Sequence, residues 1–491
     1  MSNKGITPRE KDYSKWYLDI IEQADLAENS PVRGCMIIKP YGYAIWEKIQ
    51  QGLDGMIKEG GAVNAYFPIF IPKSFLSKEA DHVKGFAKEC AVVTHHRLRE
   101  TKDGKGVEVD PESKLEEELI VRPTSETIMY DVFSRWITSW RDLPLKINQW
   151  ANVVRWEKRT RPFLRTAEFL WQEGHTVHSN HEEAIKEVLD RLDMYVEFGR
   201  QYLAMETYFG IKSDSEKFAG AVDTYGVEAM MQDGKALQFG TSHDLGQNFS
   251  KVFNIQFADK EGNLQYPWQT SWGVSTRMIG ALVMTHSDDN GLVLPPSIAP
   301  IKVVVIPIFR DNNKEKVLRY ANDIAKEVGK GVDDIKVDER DYVSPGGKFN
   351  EWEKKGVPVR LEVGEKEMKN GTVVLVRRDT LEKETVKFGS IGEGVKSNLE
   401  QIQESLYEKS KELLVSKTHR VTTYEEFKEV FSKETGFVRA VWCGDPECEE
   451  NIKYETKVTT RCLTDDGKGV SGKCIYCRKS GKNEWIFAKC Y

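Results

Sequence analysis

Apolar and polar side chains alternate with a period of two over residues 169–175, which read F-L-W-Q-E-G-H. Alternation that includes aromatic residues is typical of a β-strand with one buried face. The preceding residues, 154–165, carry a dense run of charges and predict a second strand joined to the first by a polar connection. Together the two strands would place the side chains of Arg155, Glu157 and Arg165 over one face of a sheet.

Apolar side chains that recur with a helical spacing predict helices before and after these two strands in the sequence. Residues 41–59 place apolar side chains on one helical face, and a pair of glycines ends that helix. The apolar run 65–72 follows as a strand that proline interrupts. Residues 181–210 have a heptad-like apolar repeat, which predicts a long surface helix.

A further strand runs into a polar turn over Leu119–Glu126, before a helix that we expect to extend to Trp140. Thr124 or Ser125 could simply be the N-cap of this helix, and Glu126 an acidic residue favoured in its first turn. The other interpretation of Glu126 is a buried carboxylate that faces a substrate cation.

Glycines interrupt the apolar pattern of residues 219–247, which predicts strands that allow a ligand to approach the backbone closely. Gln238, Thr241 and His243 lie near one another in this segment, where a lone histidine has either a structural or a ligand-binding role. Farther on, Arg277 stands at the start of an apolar helix. A cation is unfavourable for the helix dipole there, which favours a ligand that neutralises it over an ordinary surface arginine.

A proline-rich junction at Leu294–Pro300 separates these segments from a different pattern. Beyond it we predict strands and helices at 301–309, 313–329, 335–341, 357–364 and 373–378. Their alternation predicts an α/β unit with a largely parallel sheet. A glycine-rich loop at 344–353 carries Lys348 but lacks the spacing of a P-loop. Residues 396–435 predict charged amphipathic helices.

At 491 residues the chain is too long for one hydrophobic core, and about two to four domains are expected. Hydrophobic residues make up 40%, charged residues 30%, and the net charge is −6. This balance gives no overall attraction to nucleic acid, so RNA binding would need local basic patches. A signal-peptide pattern and an apolar run of membrane-spanning length are both missing from the sequence, which predicts a cytoplasmic protein with no membrane partner.

Eight cysteines are present, two early in the chain and six after residue 440. This distribution differs from a secreted disulfide framework and favours a reducing compartment with a metal site. Two close pairs, Cys443 with Cys448 and Cys474 with Cys477, offer the four thiolates that tetrahedral zinc requires, and a closed four-sulfur site is structural. Cys462 leaves the choice of ligands open, and free thiols are the alternative.

The stretch R-P-F-L-R-T-A-E-F-L-W-Q-E-G-H, residues 161–175, resembles motif 2 of class II aminoacyl-tRNA synthetases and is similar specifically to the prolyl-tRNA synthetase family. The resemblance reaches from about Lys11 to Tyr491 and is weaker around 95–118 and 395–435.

Two other motifs of class II enzymes have counterparts in the chain. Residues 41–72 resemble motif 1, which implies a homodimer interface with Pro68 at the matching position, and residues 269–280 resemble motif 3. Only about a hundred residues separate motifs 2 and 3. Many bacterial members carry an editing domain inserted between these two motifs, and this chain has no room for it. The chain therefore resembles the shorter archaeal/eukaryotic-like type.

The resemblance also implies roles for individual residues. It assigns proline binding to Thr124, Glu126, Arg155, Trp171 and His243. It assigns ATP binding to Arg155, Glu157, Arg165, Thr166, Gln238, Thr241, Ser275 and Arg277. Two of these, Arg155 and Arg277, would be catalytic. In the α/β unit the residues expected to contact tRNA bases or phosphates are Glu339, Arg340 and Lys348, with a solvated loop as the alternative.

The resemblance thus implies three domains. They are an α+β catalytic domain built on an antiparallel sheet (residues 1–295), an α/β anticodon-binding domain (296–400) and a small zinc-binding α+β domain (401–491). The expected activity is ATP-dependent activation of L-proline and transfer of the prolyl group to the 3′-end of tRNA(Pro). ATP would act as its Mg²⁺ complex, and Zn²⁺ would be structural.

Other functions are conceivable from the same sequence. Another class IIa synthetase, such as a threonyl or histidyl enzyme, is the nearest, and Thr124, Glu126, Trp171 and His243 together favour proline. A paralogue that only binds RNA would lack a phosphate-binding arginine, and both expected arginines are present. A zinc-ribbon RNA-binding protein explains only about the last fifty residues.

Overall fold

The computed structural model describes residues 5–77, 89–433 and 435–491. The helices of the first unit are α1 (Tyr13–Gln23), α2 (Pro40–Glu59), α3 (Lys73–Ser77), α4 (Glu126–Trp136), α5 (His181–Gln201), α6 (Asn248–Val252) and α7 (Arg277–His286). Its strands are β1 (Ala27–Asn29), β2 (Met36–Ile38), β3 (Val63–Asn64), β4 (Phe70–Pro72), β5 (Ala91–His95), β6 (Leu98–Glu100), β7 (Val107–Val109), β8 (Lys114–Val121), β9 (Leu145–Val154), β10 (Glu168–His178), β11 (Thr207–Ile211), β12 (Asp223–Met230), β13 (Ala236–Gly246), β14 (Phe257–Ala258), β15 (Leu264–Gln265) and β16 (Trp268–Ser275).

A seven-stranded sheet organises the first unit, with its strands in the order β11-β12-β13-β16-β10-β9-β3. Every neighbouring pair is antiparallel except β3 and β9. The register sets Trp171 opposite Ser275 and His243 opposite Ser271. The expected antiparallel catalytic fold is therefore confirmed.

Helix α5 covers one face of this sheet. The hydroxyl of Tyr195 donates to Gln172 Oε1 at 2.7 Å, and the hydroxyl of Ser242 donates to the carbonyl of Val188 at 2.8 Å. Successive side chains of a strand point to opposite faces. Because Gln172 of β10 and positions 240 and 242 of β13 meet α5, the adjacent odd-numbered positions lie on the open face, where a ligand can bind. A register shift between β12 and β13 brings Gln238 onto the open face as well.

Most elements of the first unit match the sequence pattern, and α2 confirms the helix expected at 41–59. The apolar run 65–72 differs, since only its end forms a strand, β4. Its prolines supply no backbone donors for a sheet. Helix α5 ends at Gln201 rather than near residue 210. It has the amphipathic character expected of a surface helix, with its apolar side buried in the core and its charged side exposed.

The second unit contains β17 (Val303–Pro307), α8 (Lys314–Val328), β18 (Ile335–Val337), α9 (Pro345–Lys354), β19 (Val359–Val363), α10 (Glu365–Asn370), β20 (Thr372–Arg377), β21 (Lys383–Lys387) and α11 (Ile391–Ser416). Its sheet has the order β18-β17-β19-β20-β21. Strand β17 pairs in parallel with β18 and β19, whereas β20 pairs antiparallel with β19 and β21. The expectation of a largely parallel sheet is wrong for β20 and β21, because their short connections cannot form the crossover that parallel pairing needs.

The C-terminal unit (residues 418–491) contains β22 (Thr418–Arg420), α12 (Tyr424–Lys433), β23 (Phe437–Trp442), α13 (Pro446–Thr456), β24 (Thr459–Cys462), β25 (Gly472–Lys473), β26 (Ser480–Gly481) and β27 (Asn483–Ala488). Four of its strands form a sheet in the order β22-β23-β27-β24. The expected boundary after residue 400 falls inside α11, and the three proposed domain limits stay predictions.

The units contact one another through partly buried polar pairs. Arg378 of the second unit donates to both carboxylate oxygens of Asp288 at 2.7 and 2.8 Å. At the end of the C-terminal unit, the hydroxyl of Tyr491 donates to Asp233 at 2.5 Å, and its backbone nitrogen donates to the carbonyl of Ala236 at 3.1 Å. Among the described residues, no helix is both long and apolar enough to cross a membrane.

Candidate functional site

A pocket of about 280 Å³ lies on the open face of the seven-stranded sheet. Its lining includes most of the side chains expected in the proline and ATP sites: Thr124, Glu126, Arg155, Trp171, Gln238, Thr241, His243, Ser275 and Arg277. Glu157, Arg165 and Thr166 lie outside this lining, on the segment that joins β9 to β10. The expected contacts thus share one concave surface, and their individual roles stay predictions.

Buried carboxylates line one part of the pocket, at the start of α4. The hydroxyl of Thr124 donates to Glu126 Oε2. Ser125 occupies the N-cap position without capping the helix, and its hydroxyl donates to Glu173 Oε1 at 2.5 Å. Both hydroxyls donate to carboxylates and neither accepts from a backbone N–H group of the helix. This favours a ligand-binding role over the N-cap interpretation. Two buried acids are suited to bind a cationic amine.

Glu173 is fixed by a network of buried donors. Gln149 Nε2 donates to its Oε1 at 2.8 Å, and His175 Nε2 lies 3.1 Å from its Oε2. Burial alone would raise the pKa of Glu173, but the hydrogen bonds from His175 and its other donors lower it. Burial likewise opposes a charge on His175, yet the bond to Glu173 raises the pKa of that imidazole. The two residues form a buried hydrogen-bonded pair that lines the pocket.

Arg155 lies at the end of β9 and is held against the sheet. Its Nε donates to the carbonyl of Pro123 at 3.0 Å, and its guanidinium carbon lies 5.5 Å from the ring centroids of both Phe169 and Trp171. Burial lowers the pKa of Arg155, and the carboxylate of Glu126 acts most strongly in the opposite direction. The guanidinium therefore stays cationic beside an acid and over aromatic faces, where it can meet a carboxylate or phosphate.

Arg277 begins α7, and its side chain lines the pocket. Its Nε donates to the carbonyl of Leu164 at 3.1 Å, and its Nη1 donates to the carbonyl of Gln238 at 3.2 Å. No carboxylate within the described ranges forms an ion pair with it. Burial, followed by the charges of Arg165 and Arg155, lowers the pKa of Arg277 to about 10. A partly buried arginine that repels two others is positioned for a polyanion.

His243 forms a neutral wall of the pocket. Its Nδ1 lies 2.9 Å from the hydroxyl of Thr224, and its ring centroid lies 4.7 Å from that of Phe218. Burial lowers the pKa of His243 to about 3, so the ring is uncharged near neutral pH. Within the described part of the chain, Trp171 Nε1 and Ser271 Oγ are buried without a hydrogen-bond partner. Unpaired polar atoms in a pocket lining are suited to a polar ligand.

The segment between β9 and β10 holds the remaining expected ATP contacts. Arg165 is exposed, and its Nε lies 3.7 Å from Glu157 Oε2. Glu157 also accepts from the backbone nitrogen of Arg159 at 2.8 Å, while Thr166 is buried. These side chains lie on a loop rather than on the sheet.

Several lining residues were missed by the sequence reasoning. Glu173 and His175 alternate with Trp171 along β10, so the period of two already places them on the same face. Lys212 and Phe218 also line the pocket, from the irregular connection after β11. A connection without periodicity gives no indication of which side chain turns inward.

The residues expected to contact tRNA lie around Asp338, at the end of β18. Arg340 donates to both Asp338 carboxylate oxygens at 2.7 and 2.8 Å. Lys348 is buried, and its ammonium donates to the carbonyl of Asp338 at 2.8 Å. Glu339 is exposed and accepts from Asn322 Nδ2 at 2.8 Å. Their contact with RNA stays a prediction, and burial makes Lys348 better placed to shape the loop than to touch a base.

Four cysteines converge in the C-terminal unit. The sulfur atoms of Cys443, Cys448, Cys474 and Cys477 all lie within 4.8 Å of one another. The Cys443 sulfur is 3.7 Å from that of Cys448 and 3.8 Å from that of Cys477. Four thiolates around zinc at roughly 2.3 Å would be separated by about 3.8 Å. The set therefore fits tetrahedral zinc, and Cys462, which is buried in β24, lies outside it.

Three family models match the chain in succession. The tRNA synthetase class II core domain (G, H, P, S and T) matches residues 107–286, and the anticodon binding domain matches residues 302–398. The third model, prolyl-tRNA synthetase, C-terminal, matches residues 424–491. These matches fall on the three units of the fold in the same order.

Curated relatives match the chain from end to end. The proline–tRNA ligase of Porphyromonas gingivalis is 57% identical over 493 residues, covering 99% of each chain. That of Parabacteroides distasonis is 57% identical over 492 residues and 99% of each chain. That of Cytophaga hutchinsonii is 54% identical over 490 residues and 100% of each chain. With this similarity over its whole length, and with a class II core, an anticodon-binding domain and the characteristic C-terminal domain, the chain belongs to the prolyl-tRNA synthetase family.

Proposed function

We propose that the chain is a proline–tRNA ligase that joins L-proline to the 3′-end of tRNA(Pro) at the expense of ATP. The observation that carries the proposal is the convergence of Arg155 and Arg277 on one pocket whose other lining includes Thr124, Glu126 and His243. One part of this pocket is acidic and suits an amine, and the other is basic and suits phosphates.

The first step is the formation of prolyl-adenylate. The carboxylate of proline attacks the α-phosphorus of ATP, pyrophosphate leaves, and no covalent enzyme intermediate is needed. Thr124 and Glu126 hold the cationic amine, while Arg155 bridges the carboxylate and the α-phosphate. Catalysis then consists of positioning and of stabilising the charge that develops on phosphate oxygens, where one such donor typically contributes about 3–4 kcal/mol.

Arg277 serves the far end of the nucleotide in this scheme. Its guanidinium pairs with the terminal phosphate and its plane covers the adenine ring, with Ser275, Arg165, Glu157 and Thr166 as further contacts. ATP enters as its Mg²⁺ complex, and the oxygen atoms of Gln238 and Thr241 are ligands of the type that Mg²⁺ prefers.

The second step transfers the prolyl group to tRNA. The α/β unit binds the anticodon region around Glu339, Arg340 and Lys348, and the 3′-end of the tRNA reaches the adenylate in the catalytic pocket. Cys443, Cys448, Cys474 and Cys477 would hold Zn²⁺. Four protein sulfurs would leave no position for a substrate, so the ion would supply stability to the C-terminal unit rather than chemistry.

We also propose that the enzyme is a homodimer in the cytoplasm. Large apolar side chains are exposed in motif 1, on β5 and in the loop after β9: Val63, Tyr66, Phe70, Val92 and Trp156. An apolar surface of this kind marks an interaction site, and a second copy of the chain is its partner. The domain limits 1–295, 296–400 and 401–491 belong to the same proposal.

Aminoacylation of tRNA(Pro) with radiolabelled proline tests the proposal. Purified protein with ATP and Mg²⁺ should charge tRNA(Pro) with proline and leave tRNA(Thr) and tRNA(His) uncharged with their own amino acids. Charging of either of those tRNAs in preference to tRNA(Pro) would make the chain another class IIa synthetase.

A further inference from the structure

An arginine of the C-terminal unit is inserted into the catalytic unit. Arg461 lies in β24, and its side chain is 5% exposed. Its Nη2 donates to both carboxylate oxygens of Glu228, at 2.9 and 3.0 Å, and its Nε donates to Glu228 Oε2 at 3.2 Å. Glu228 belongs to β12 of the seven-stranded sheet and is fully buried. A buried pair with this geometry fixes both partners firmly.

Glu228 also holds a cation that lines the pocket. Lys212 Nζ donates to Glu228 Oε1 at 3.0 Å and to the backbone carbonyl of Arg461 at 3.3 Å. Lys212 is itself part of the pocket lining. The position of its ammonium is therefore set by two groups, one of which belongs to the C-terminal unit.

These charges lie beside the part of the pocket proposed to bind the nucleotide. A carbon atom added at Gly226 would lie 3.3 Å from Lys212 Cε and 3.6 Å from both Gln238 Oε1 and Glu228 Oε1. The three side chains thus converge on one point of the sheet. Arg277 responds to the same charges: after burial and the neighbouring arginines, Glu228 raises its pKa and Arg461 lowers it.

The C-terminal unit also ties down the segment that carries Lys212. Ile211 and Leu463 exchange two backbone hydrogen bonds, at 2.8 and 3.2 Å. Glu449, on α13, accepts from the hydroxyls of Ser213 and Ser215, each at 2.7 Å. The C-terminal unit therefore holds the segment on both sides of Lys212, whose side chain lines the pocket.

We propose that Arg461 is a positioning residue for the nucleotide half of the pocket, acting through Glu228 and Lys212. This inference rests on the proposed function. The carboxylate of Glu228 lies between two cations, Lys212 and Arg461. The three side chains therefore have a net charge of one positive, which attracts a polyphosphate. Without Arg461, Glu228 neutralises Lys212, and this wall of the pocket loses its positive charge.

The test compares Arg461→Met with the double variant Arg461→Met/Glu228→Gln. The single variant should raise the KM for ATP about tenfold, the scale of one charged contact. Its KM for proline should change less than about twofold, because the amine end of the pocket is untouched. The double variant restores the net charge of one positive and should bring the KM for ATP back towards the wild-type value. Arg461→Lys keeps the net charge of one positive and should therefore have a KM for ATP close to the wild-type value; a KM as high as that of Arg461→Met would count against a role for the charge.

A matched control is Arg439→Met in the same C-terminal unit. Arg439 is also paired with acids, Glu484 and Asp466 at 2.7 Å each, but both partners belong to its own unit. This variant should leave both KM values unchanged. Thermal melting and zinc content of every variant report whether the C-terminal unit is folded.

Calorimetric titration with ATP·Mg²⁺ gives the same comparison without any turnover. Wild-type protein that binds ATP but charges no tRNA with proline would refute the proposed function, while the ordering of ATP affinities among the variants would still decide the role of Arg461. An unchanged ATP affinity in Arg461→Met would overturn the inference. A double variant that binds ATP no better than the single variant would overturn it too, since a purely structural role predicts that result.

Discussion

Replacing Arg277 with methionine removes the guanidinium that the account places against the terminal phosphate of ATP, while keeping an unbranched apolar stem. The side chain is anchored by the carbonyls of Leu164 and Gln238 and, among the described residues, forms no ion pair with a carboxylate. It is therefore held in place before ATP arrives, so its phosphate contact should contribute fully to binding.

The magnitude follows from the strength of a charged hydrogen bond. Such a bond contributes about 1.5–3 kcal/mol, which corresponds to a loss of roughly 10-fold to 150-fold in kcat/KM for ATP. Arg277→Lys keeps the charge but not the planar fork, so its loss should be smaller than that of the methionine variant.

Steady-state pyrophosphate exchange at varied ATP and saturating proline measures this effect. The control is Arg99→Met, since Arg99 is an exposed arginine paired with Glu108 at 2.8 Å and lies outside the pocket lining. An Arg277→Met protein that melts like wild type and keeps its kcat/KM for ATP would refute the phosphate contact.

Four further outcomes are expected. Elemental analysis of protein purified without chelator should find one zinc per chain, and Cys474→Ser should lose it; retention of full zinc would bring Cys462 into the ligand set. Alanine, which lacks only part of the ring of proline, should be activated at a rate lower by roughly 10-fold to 200-fold, with cysteine activated better than alanine. Without an inserted editing domain, preformed Ala-tRNA(Pro) should not be cleared above the spontaneous rate. Finally, the melting temperature should fall as the pH is lowered from 7 to 5, because three buried histidines have a lowered pKa: His178, His243 and His286.

The sign of the pH effect follows from proton linkage. Burial lowers the pKa of His243 to about 3 from an ordinary value of 6.5, so at intermediate pH the unfolded chain binds the proton and the folded chain does not. Stability from these histidines is complete above pH 6.5 and is lost below it. His175 acts in the opposite direction, since its pKa is raised by Glu173, and it offsets part of the loss. A melting temperature that rises between pH 7 and pH 5 would contradict this balance.

A different result would contradict the editing prediction. It is the clearance of Ala-tRNA(Pro) above the spontaneous rate when the synthetic site is blocked.

Periodicity predicted the part of the site that regular strands carry. The alternation along residues 169–175 places Trp171, Glu173 and His175 on one face, and the structure has them in the pocket lining. Likewise, a cation at a helix start indicated a ligand near Arg277, and the structure places its guanidinium in the same pocket.

Contacts between units that are far apart in sequence could not be predicted in this way. Arg461 and Glu228 are separated by more than two hundred residues, and each in isolation reads as an ordinary charged position on a strand. Lys212 turns inward from an irregular connection, where no repeat indicates the direction of a side chain. The antiparallel pairing of β20 was missed because strand direction depends on the length of the connection, which the apolar pattern alone does not set.

The most direct test of the central claim is amino-acid-dependent ATP–pyrophosphate exchange with each of the twenty amino acids. It needs no tRNA and reports only whether the pocket joins an amino acid to ATP. The account predicts strong exchange with proline, weak exchange with cysteine and alanine, and background values with the others, threonine and histidine included. Stronger exchange with any other amino acid than with proline, or none with proline from folded, zinc-loaded protein, would contradict it.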